Sequence, residues 1–180
     1  MMKQLSSKLT LLVVLFLHST LTLSHQNIHP GKAFNSQEHH QIDSILVEKQ
    51  KRTMTVFHKN KVIKQYRVAL GFSPQGNKSH EGDGKTPEGT YFIVGKNSQS
   101  LFHLSLKLSY PSTEQQQISK SQGLNPGGNI MIHGLAPHLE KKGKWHAMKD
   151  WTLGCIAVSN EEIEEIFRTA DVGTKVVIVP

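Results

Sequence analysis

Residues 150–158 read DWTLGCIAV and contain Cys155, the only cysteine of the 180-residue chain. The chain begins with a short basic segment that includes Lys3 and Lys8, followed by the apolar run of residues 11–17 and then by small and polar residues. This order is typical of a cleavable export signal. An exported protein with a single cysteine cannot form an internal disulfide, and an oxidising compartment attacks an accessible thiol. The sequence therefore predicts that the thiol of Cys155 has a chemical use.

The chain is predicted to consist of three segments. Residues 1–24 are the signal peptide, and its apolar run is far shorter than the roughly 20 residues that cross a bilayer, so we expect no stable membrane span. Residues 25–41 are polar with little apolar periodicity and are predicted to be a flexible lead-in. Residues 42–180 have the size of one domain. The net charge of +7 is spread without a dense basic cluster, which argues against nucleic acid as a partner.

The first half of the predicted domain has the pattern of β-strands. Residues 42–48 and 53–58 alternate apolar and polar positions, and a polar turn at 59–60 leads into similar residues at 62–70, which predicts a hairpin. Residues 90–94 are β-branched and aromatic and predict a further strand.

The second half is predicted to bring two short strands together around an ordered turn and a long loop. Residues 82–89 are rich in glycine, no helical pattern follows them, and we interpret them as a structured turn at one edge of a site. Residues 101–129 are predicted to form a long, mobile connection. Short strands are predicted at 129–133 and at 155–158.

One helix is predicted directly after the cysteine. Ser159 and Glu162 match a capping box, apolar residues then recur at helical spacing, and Gly173 is predicted to end the helix before a buried strand at 175–179. Many short strands with one amphipathic helix predict a mainly β fold, either a β-sandwich or a barrel-like domain.

A cysteine nucleophile at neutral pH needs a base or a positive neighbour, because an unperturbed thiol has a pKa of about 8.5. His133 is the best candidate for the base, since it ends a predicted strand that can direct the imidazole at a neighbouring strand end. His146 is a weaker candidate, because it lies among lysines in what is predicted to be an exposed loop. The backbone N–H groups of Gly154 and Cys155 are candidates for binding an oxyanion.

Three motifs occur in a fixed order: residues 82–91 (GDGKTPEGTY), His133-Gly134, and residues 152–156 (TLGCI). Together they resemble the YkuD-type L,D-transpeptidase catalytic domain of bacterial cell-wall enzymes, and the resemblance extends from about residue 43 to the C-terminus. It implies a β-sandwich-like domain in the periplasm or cell-wall space.

The resemblance also implies a mechanism. Cys155 attacks a peptide carbonyl of a peptidoglycan stem peptide and forms a thioester, which an amine of a second stem or of a wall-linked protein then attacks. His133 is implied as general base and proton shuttle, and Gly134 as the residue whose backbone orients that base. The residues before the nucleophile, Thr152, Leu153 and Gly154, are expected to contribute to oxyanion and substrate binding. No cofactor and no metal is implied.

The chain departs from the family pattern at two positions, where Leu153 replaces a histidine and Ala157 replaces an arginine. Losing the arginine removes a forked, permanently charged partner for a substrate carboxylate. Three alternatives stay open: a peptidoglycan L,D-carboxypeptidase or amidase-type hydrolase that uses water at the same site, a sortase-like transpeptidase, and a non-catalytic wall-binding module. Arg168 falls in the predicted helix, which disfavours the sortase. A thiol pKa well below 8.5 is expected to distinguish an enzyme from the binding module.

Overall fold

A computed structural model describes residues 40–180, so the predicted signal peptide and most of the predicted lead-in lie outside the described residues. The strands are β1 (Ile42–Glu48), β2 (Thr53–His58), β3 (Lys61–Arg67), β4 (Gly89–Ser100), β5 (His103–Leu108), β6 (Met131–His133), β7 (Ile156–Ala157) and β8 (Ala170–Val179). The helices are α1 (Thr113–Ser121) and α2 (Asn160–Thr169), and Glu140–Met148 is a 3-10 helical segment. No helix of this part of the chain is long and apolar enough to cross a membrane.

The eight strands form one curled sheet in the order β3-β2-β1-β8-β4-β5-β6-β7. The β1–β8 and β6–β7 pairs are parallel, and the other pairs are antiparallel. The mainly β, barrel-like fold predicted from the sequence is therefore confirmed.

The two ends of this strand order are joined by the chain that follows β3. Ala69 and Ala157 exchange two backbone hydrogen bonds of 3.0 and 2.9 Å, and the N–H of Phe72 donates to the carbonyl of Thr152 at 2.9 Å. This closure covers strand edges that would otherwise expose unpaired backbone groups. It also ties the segment before the cysteine to the opposite end of the sheet.

The hairpin predicted near the start of the domain is confirmed as β2 and β3. Its two-residue turn, Lys59 and Asn60, has φ values of 49° and 62°, the left-handed conformation that a tight hairpin requires. Alternate residues of β1, β4 and β8 enter a common core, as the alternation of side chains along a strand requires. Fully buried core residues include Ile45, Val47, Tyr91, Ile93, Val176 and Ile178.

The prediction of a long mobile connection at 101–129 is wrong, and so is that of a single helix. This stretch contains β5 and α1, and α1 begins at a capping box in which the Ser112 hydroxyl accepts from the N–H of Gln115 and the Gln115 side chain accepts from the N–H of Ser112. The run of three glutamines lies inside α1, where glutamine is a good helix former.

The helix after the cysteine, α2, begins as predicted. Ser159 and Glu162 form a reciprocal capping box, and Ile163 and Ile166 are buried in the core. The helix ends at Thr169, earlier than predicted, and Gly173 lies within β8. Gly173 has a φ of 97° and falls in the irregular stretch of the β1–β8 register, so its conformational freedom serves a strand distortion rather than a helix end.

Candidate active site

Two neighbouring parallel strands bring the predicted base and nucleophile to one cavity. In the β6–β7 pair, His133 lies opposite Ala157, and Cys155 is two residues before Ala157. Cys155 itself directly precedes β7, and the backbone of Met131, two residues before His133, donates a hydrogen bond to its thiol. His133 and Cys155 line one cavity of about 500 Å³, whose other lining residues are Lys78, Glu81, Gly82, Phe102, Gly127, Gly128, Asn129, Ile130, Trp151, Thr152 and Leu153.

The imidazole of His133 is almost fully buried, with an exposed fraction of 2%. Its ring packs against Phe102, with ring centroids 4.4 Å apart, and edge-on against Trp151 at 5.9 Å. Burial lowers the pKa of His133 to about 4, and the charge of His146 acts in the same direction, whereas the hydrogen bond to the carbonyl of Gly134 opposes both. The imidazole is therefore neutral at pH 7 and able to accept a proton.

The hydrogen bond to Gly134 fixes which nitrogen accepts that proton. Nδ1 of His133 lies 2.7 Å from the carbonyl oxygen of Gly134, and a carbonyl can only accept, so Nδ1 carries the hydrogen. The lone pair is left on Nε2. The resemblance implied that the Gly134 backbone orients the base, and the geometry is that of such a contact.

Gly134 lies where a larger residue does not fit. A Cβ atom there would stand 2.7 Å from Oδ1 of Asn160, 2.8 Å from Cγ2 of Ile163 and 2.9 Å from the carbonyl oxygen of Phe102. The same Asn160 oxygen accepts a 2.7 Å hydrogen bond from the N–H of Leu135. The strand end that carries His133 is thus packed closely onto the start of α2.

The thiol of Cys155 is in its neutral form at rest. Burial raises its pKa, and a hydrogen bond from the backbone of Met131 and the charge of Lys78 offset this only in part. The direction of this shift is opposite to the thiol pKa well below 8.5 that would distinguish an enzyme from the binding module. Sγ donates to the carbonyl of Asn129 at 3.5 Å, and no hydrogen bond within residues 40–180 joins it to His133. Catalytic hydrogen bonds are often long without substrate and tighten once it binds.

The loop before Cys155 is held by the hydroxyl of Thr152. This oxygen donates to the carbonyl of Cys155 at 2.8 Å and accepts from the N–H of Gly154 at 3.1 Å. Gly154 was expected to offer its N–H to an oxyanion, but that N–H is already engaged by Thr152. Gly154 has a φ of 130°, and a Cβ atom there would lie 2.7 Å from the carbonyl oxygen of Lys85. Leu153 is 75% exposed and stands at the cavity rim.

His146 is not in the exposed loop predicted for it. It lies in the 3-10 helical segment with an exposed fraction of 4%, packs edge-on against Trp151, and lines a separate cavity of about 250 Å³. Neither ring nitrogen has a hydrogen-bond partner among the described residues, and burial lowers the pKa of His146 to about 4. Since His146 does not line the cavity of Cys155, His133 is the base that the geometry favours.

The sequence interpretation missed Lys78 and the ring of Phe102 as parts of the site. Lys78 forms an ion pair with Asp83 of the glycine-rich turn, and Gly82 of the same turn lines the cavity. The turn therefore lies at one edge of the site, where the sequence predicted it. No motif links Lys78 to the cysteine, because 77 positions of chain separate them and only the fold brings them together.

The arginine position of the family pattern is occupied by a buried residue. Ala157 in β7 has an exposed fraction of 0%, and Arg168 lies in α2 rather than on a strand. Within residues 40–180, no group of three or more histidine, cysteine, aspartate or glutamate side chains is placed to hold a metal ion.

The fold and this cavity define a class of protein: a curled β-sheet domain in which a cysteine and a histidine line one cavity. The family model of the L,D-transpeptidase catalytic domain, YkuD, matches residues 42–178, and the chain belongs to this family. No curated protein gives a significant match.

Several solved structures share the fold. The helical cell shape determining protein Pgp2 from Campylobacter jejuni is 25% identical with a TM-score of 0.58, over 77% of this chain and 48% of Pgp2. Bd1075 of Bdellovibrio bacteriovorus is 23% identical with a TM-score of 0.54, over 77% of this chain and 51% of that one. An L,D-transpeptidase from Mycobacterium smegmatis is 14% identical with a TM-score of 0.50, over 76% and 58%. The chain thus spans about half the length of these proteins.

Proposed function

We propose that this protein is an exported cysteine acyl-transfer enzyme that acts on peptidoglycan stem peptides through a thioester at Cys155. The observation that carries the proposal is the shared cavity, which a neutral imidazole and a neutral thiol both line. Membership in the L,D-transpeptidase family supports the substrate class. The place of action that follows is the periplasm or cell-wall space, where stem peptides are found.

The two neutral groups support a mechanism of general base catalysis. Nε2 of His133 takes the thiol proton as Sγ of Cys155 attacks the carbonyl carbon, the C–S bond forms, and the C–N bond breaks as the amine leaves with that proton. In the second half, an acceptor gives a proton to His133 and attacks the thioester, and Sγ leaves and is protonated again. An amine acceptor makes a cross-link, and water makes a shortened stem.

An amine acceptor would make the protein a transpeptidase and water would make it a hydrolase, and we keep both as candidate functions. One feature favours water as a second candidate. The positions that bear histidine and arginine in the family pattern bear Leu153 and Ala157 here. A changed set of polar groups around the thioester alters which nucleophile is bound in position.

Mass analysis of products tests the proposal. The purified domain is incubated with tetrapeptide and pentapeptide stems, with and without an amine acceptor, beside the variants Cys155→Ala and His133→Ala. Wild type is expected to release the terminal D-amino acid, and each variant is expected to lose at least roughly a hundredfold in rate. His138→Ala, at an exposed histidine, is the matched control and should retain full activity.

The outcomes separate the candidate functions. A cross-linked product identifies a transpeptidase, and a shortened stem alone identifies a hydrolase. Full activity of a folded Cys155→Ala protein contradicts the thioester mechanism. Binding of wall fragments without any product identifies a non-catalytic module. Circular dichroism of each variant shows whether the fold is kept.

A further inference from the structure

The cavity that contains Cys155 has one cationic side chain on its wall. Among the lining residues given above, Lys78 is the only lysine or arginine, and Glu81 is the only carboxylate. His133 contributes no positive charge at pH 7, because burial holds its pKa at about 4. A substrate carboxylate entering this cavity therefore meets Lys78 as its single full positive charge.

Lys78 is held firmly in place. Its side chain is 3% exposed, and Nζ donates to Oδ1 of Asp83 at 2.7 Å and to the carbonyl of His80 at 3.0 Å. Asp83 also accepts from the backbone N–H groups of Ser79, His80 and Lys85. An ammonium group has three N–H donors, so these two contacts leave one for a ligand.

The carboxylate of Asp83 is ionised throughout the working pH range. Burial by itself raises the pKa of Asp83, but the hydrogen bonds from Lys78 and from the backbone N–H groups outweigh burial and hold the pKa well below its ordinary value. A buried ion pair contributes little to stability beyond what a well-packed apolar pair contributes. A role of Lys78 in binding a ligand explains why the Lys78–Asp83 pair lies at the cavity wall.

We propose that Lys78, positioned by Asp83, binds the free carboxylate of the D-amino acid that leaves when Cys155 attacks the stem peptide. This rests on the proposed function and names the group that serves in place of the arginine absent at Ala157. The geometry of the substrate agrees with it. The carboxylate of a single terminal residue is three bonds from the attacked carbonyl carbon, so it lies within one side-chain length of the sulfur.

The two residues at the altered family positions cannot bind the substrate carboxylate in place of Lys78. Leu153 and Ala157, at the two positions that bear polar side chains in the family pattern, are apolar, and Ala157 is fully buried. Glu81, whose Oε2 accepts from Nδ2 of Asn125, repels a carboxylate, so Lys78 is the side chain of the cavity wall that attracts one. The specificity expected is for stems with a charged C-terminus.

A substrate and protein double cycle tests the contact. Kinetics are measured on a tetrapeptide stem with a free C-terminal carboxylate and on the same peptide with a C-terminal amide, for wild type and Lys78→Met. For wild type, amidation is expected to lower kcat/KM roughly tenfold to a hundredfold, mainly through KM, as for a lost hydrogen bond between charged groups. Lys78→Met is expected to lose a similar factor on the acid and less than about twofold more on the amide.

The controls separate this role from a purely structural one. Lys107→Met, at an exposed lysine of β5, should leave both peptides unaffected. If Lys78→Met does not fold because Asp83 is left without its partner, the neutral pair Lys78→Met with Asp83→Asn takes its place. Lys78→Arg should restore part of the preference for the acid. Losses that multiply, so that Lys78→Met still discriminates acid from amide as wild type does, overturn the proposal.

Binding to Cys155→Ala distinguishes failure of this proposal from failure of the proposed function. Calorimetry with the acid and amide peptides needs no turnover. Absence of turnover in wild type contradicts the enzyme function, while tighter binding of the acid than of the amide, lost in Lys78→Met, still supports the role of Lys78. Equal binding of both peptides, or binding of neither, overturns it.

Discussion

Removing the ring of Phe102 is expected to raise the pKa of His133 and to move the acid limb of the pH–rate profile. The wild-type value of about 4, against an ordinary 6.5, reflects burial above all, and the rings of Phe102 and Trp151 pack directly against the imidazole. That gap corresponds to about 3 kcal/mol of disfavoured protonation. Phe102→Ala takes away one of the two covering rings, so recovery of roughly one pH unit is expected.

The expected effect on activity follows from the fraction of neutral imidazole. At pH 5 a base with a pKa of 4 is about 90% neutral, whereas one with a pKa of 5 is about half neutral. The ratio of kcat/KM at pH 5 to its own plateau near pH 7 should therefore fall by nearly half in Phe102→Ala. The assay is stem-peptide cleavage from pH 4 to 9, with the imidazole titration of His133 followed by NMR.

Leu101→Ala is the matched control, since Leu101 adjoins Phe102 in sequence but is 85% exposed. It should leave the profile unchanged. Normalising each variant to its own plateau removes any effect of the enlarged cavity on substrate binding. An acid limb that stays near pH 4 in Phe102→Ala, with the NMR titration also unchanged, would refute the argument that ring burial sets the pKa of this base.

Two further substitutions test the packing around the site. Gly134→Ala should lower the free energy of unfolding by about 1–3 kcal/mol and reduce kcat, because the added Cβ is too close to Asn160. Denaturant unfolding and kinetics measure both effects, with Gly95→Ala as the control because a Cβ atom has room at Gly95. Equal stability of the two variants contradicts the prediction. His146→Phe should reduce the loss of stability between pH 6.5 and pH 4 by about 2.5 kcal/mol, because the unfolded chain takes up a proton there that buried His146, with its pKa near 4, takes up only in part. Urea unfolding at both ends of that range checks it, and an unchanged pH dependence refutes it.

The elements that the sequence located correctly are those with a local signal. The β2–β3 hairpin follows from alternation and a two-residue polar turn, and the start of α2 follows from its capping box. The same capping signal at Ser112 and Gln115 was available for α1, and it was missed because the polar composition of the stretch suggested a loop. The curled closure through Ala69 and Ala157 has no local signal, since it joins residues distant in sequence.

The residues of the candidate site also divide into those that the sequence identified and those whose surroundings only the fold decides. Cys155 and His133 were identified from residue type, strand ends and resemblance to the family, and the fold places both on one cavity. The expected oxyanion donor at Gly154 was misjudged, because the hydroxyl of Thr152 engages that N–H. His146 was placed at the surface because lysines surround it in sequence, yet the side chain turns inward onto Trp151.

The sequence alone identified Cys155 as the candidate nucleophile and predicted much of the strand pattern and the family resemblance, because these depend on residue identity and on spacing over a few positions. The tertiary structure decided the protonation states of Cys155 and His133 and placed Lys78 beside them. Desolvation and charge act through space, so a pKa depends on which distant segments cover a group rather than on its neighbours along the chain.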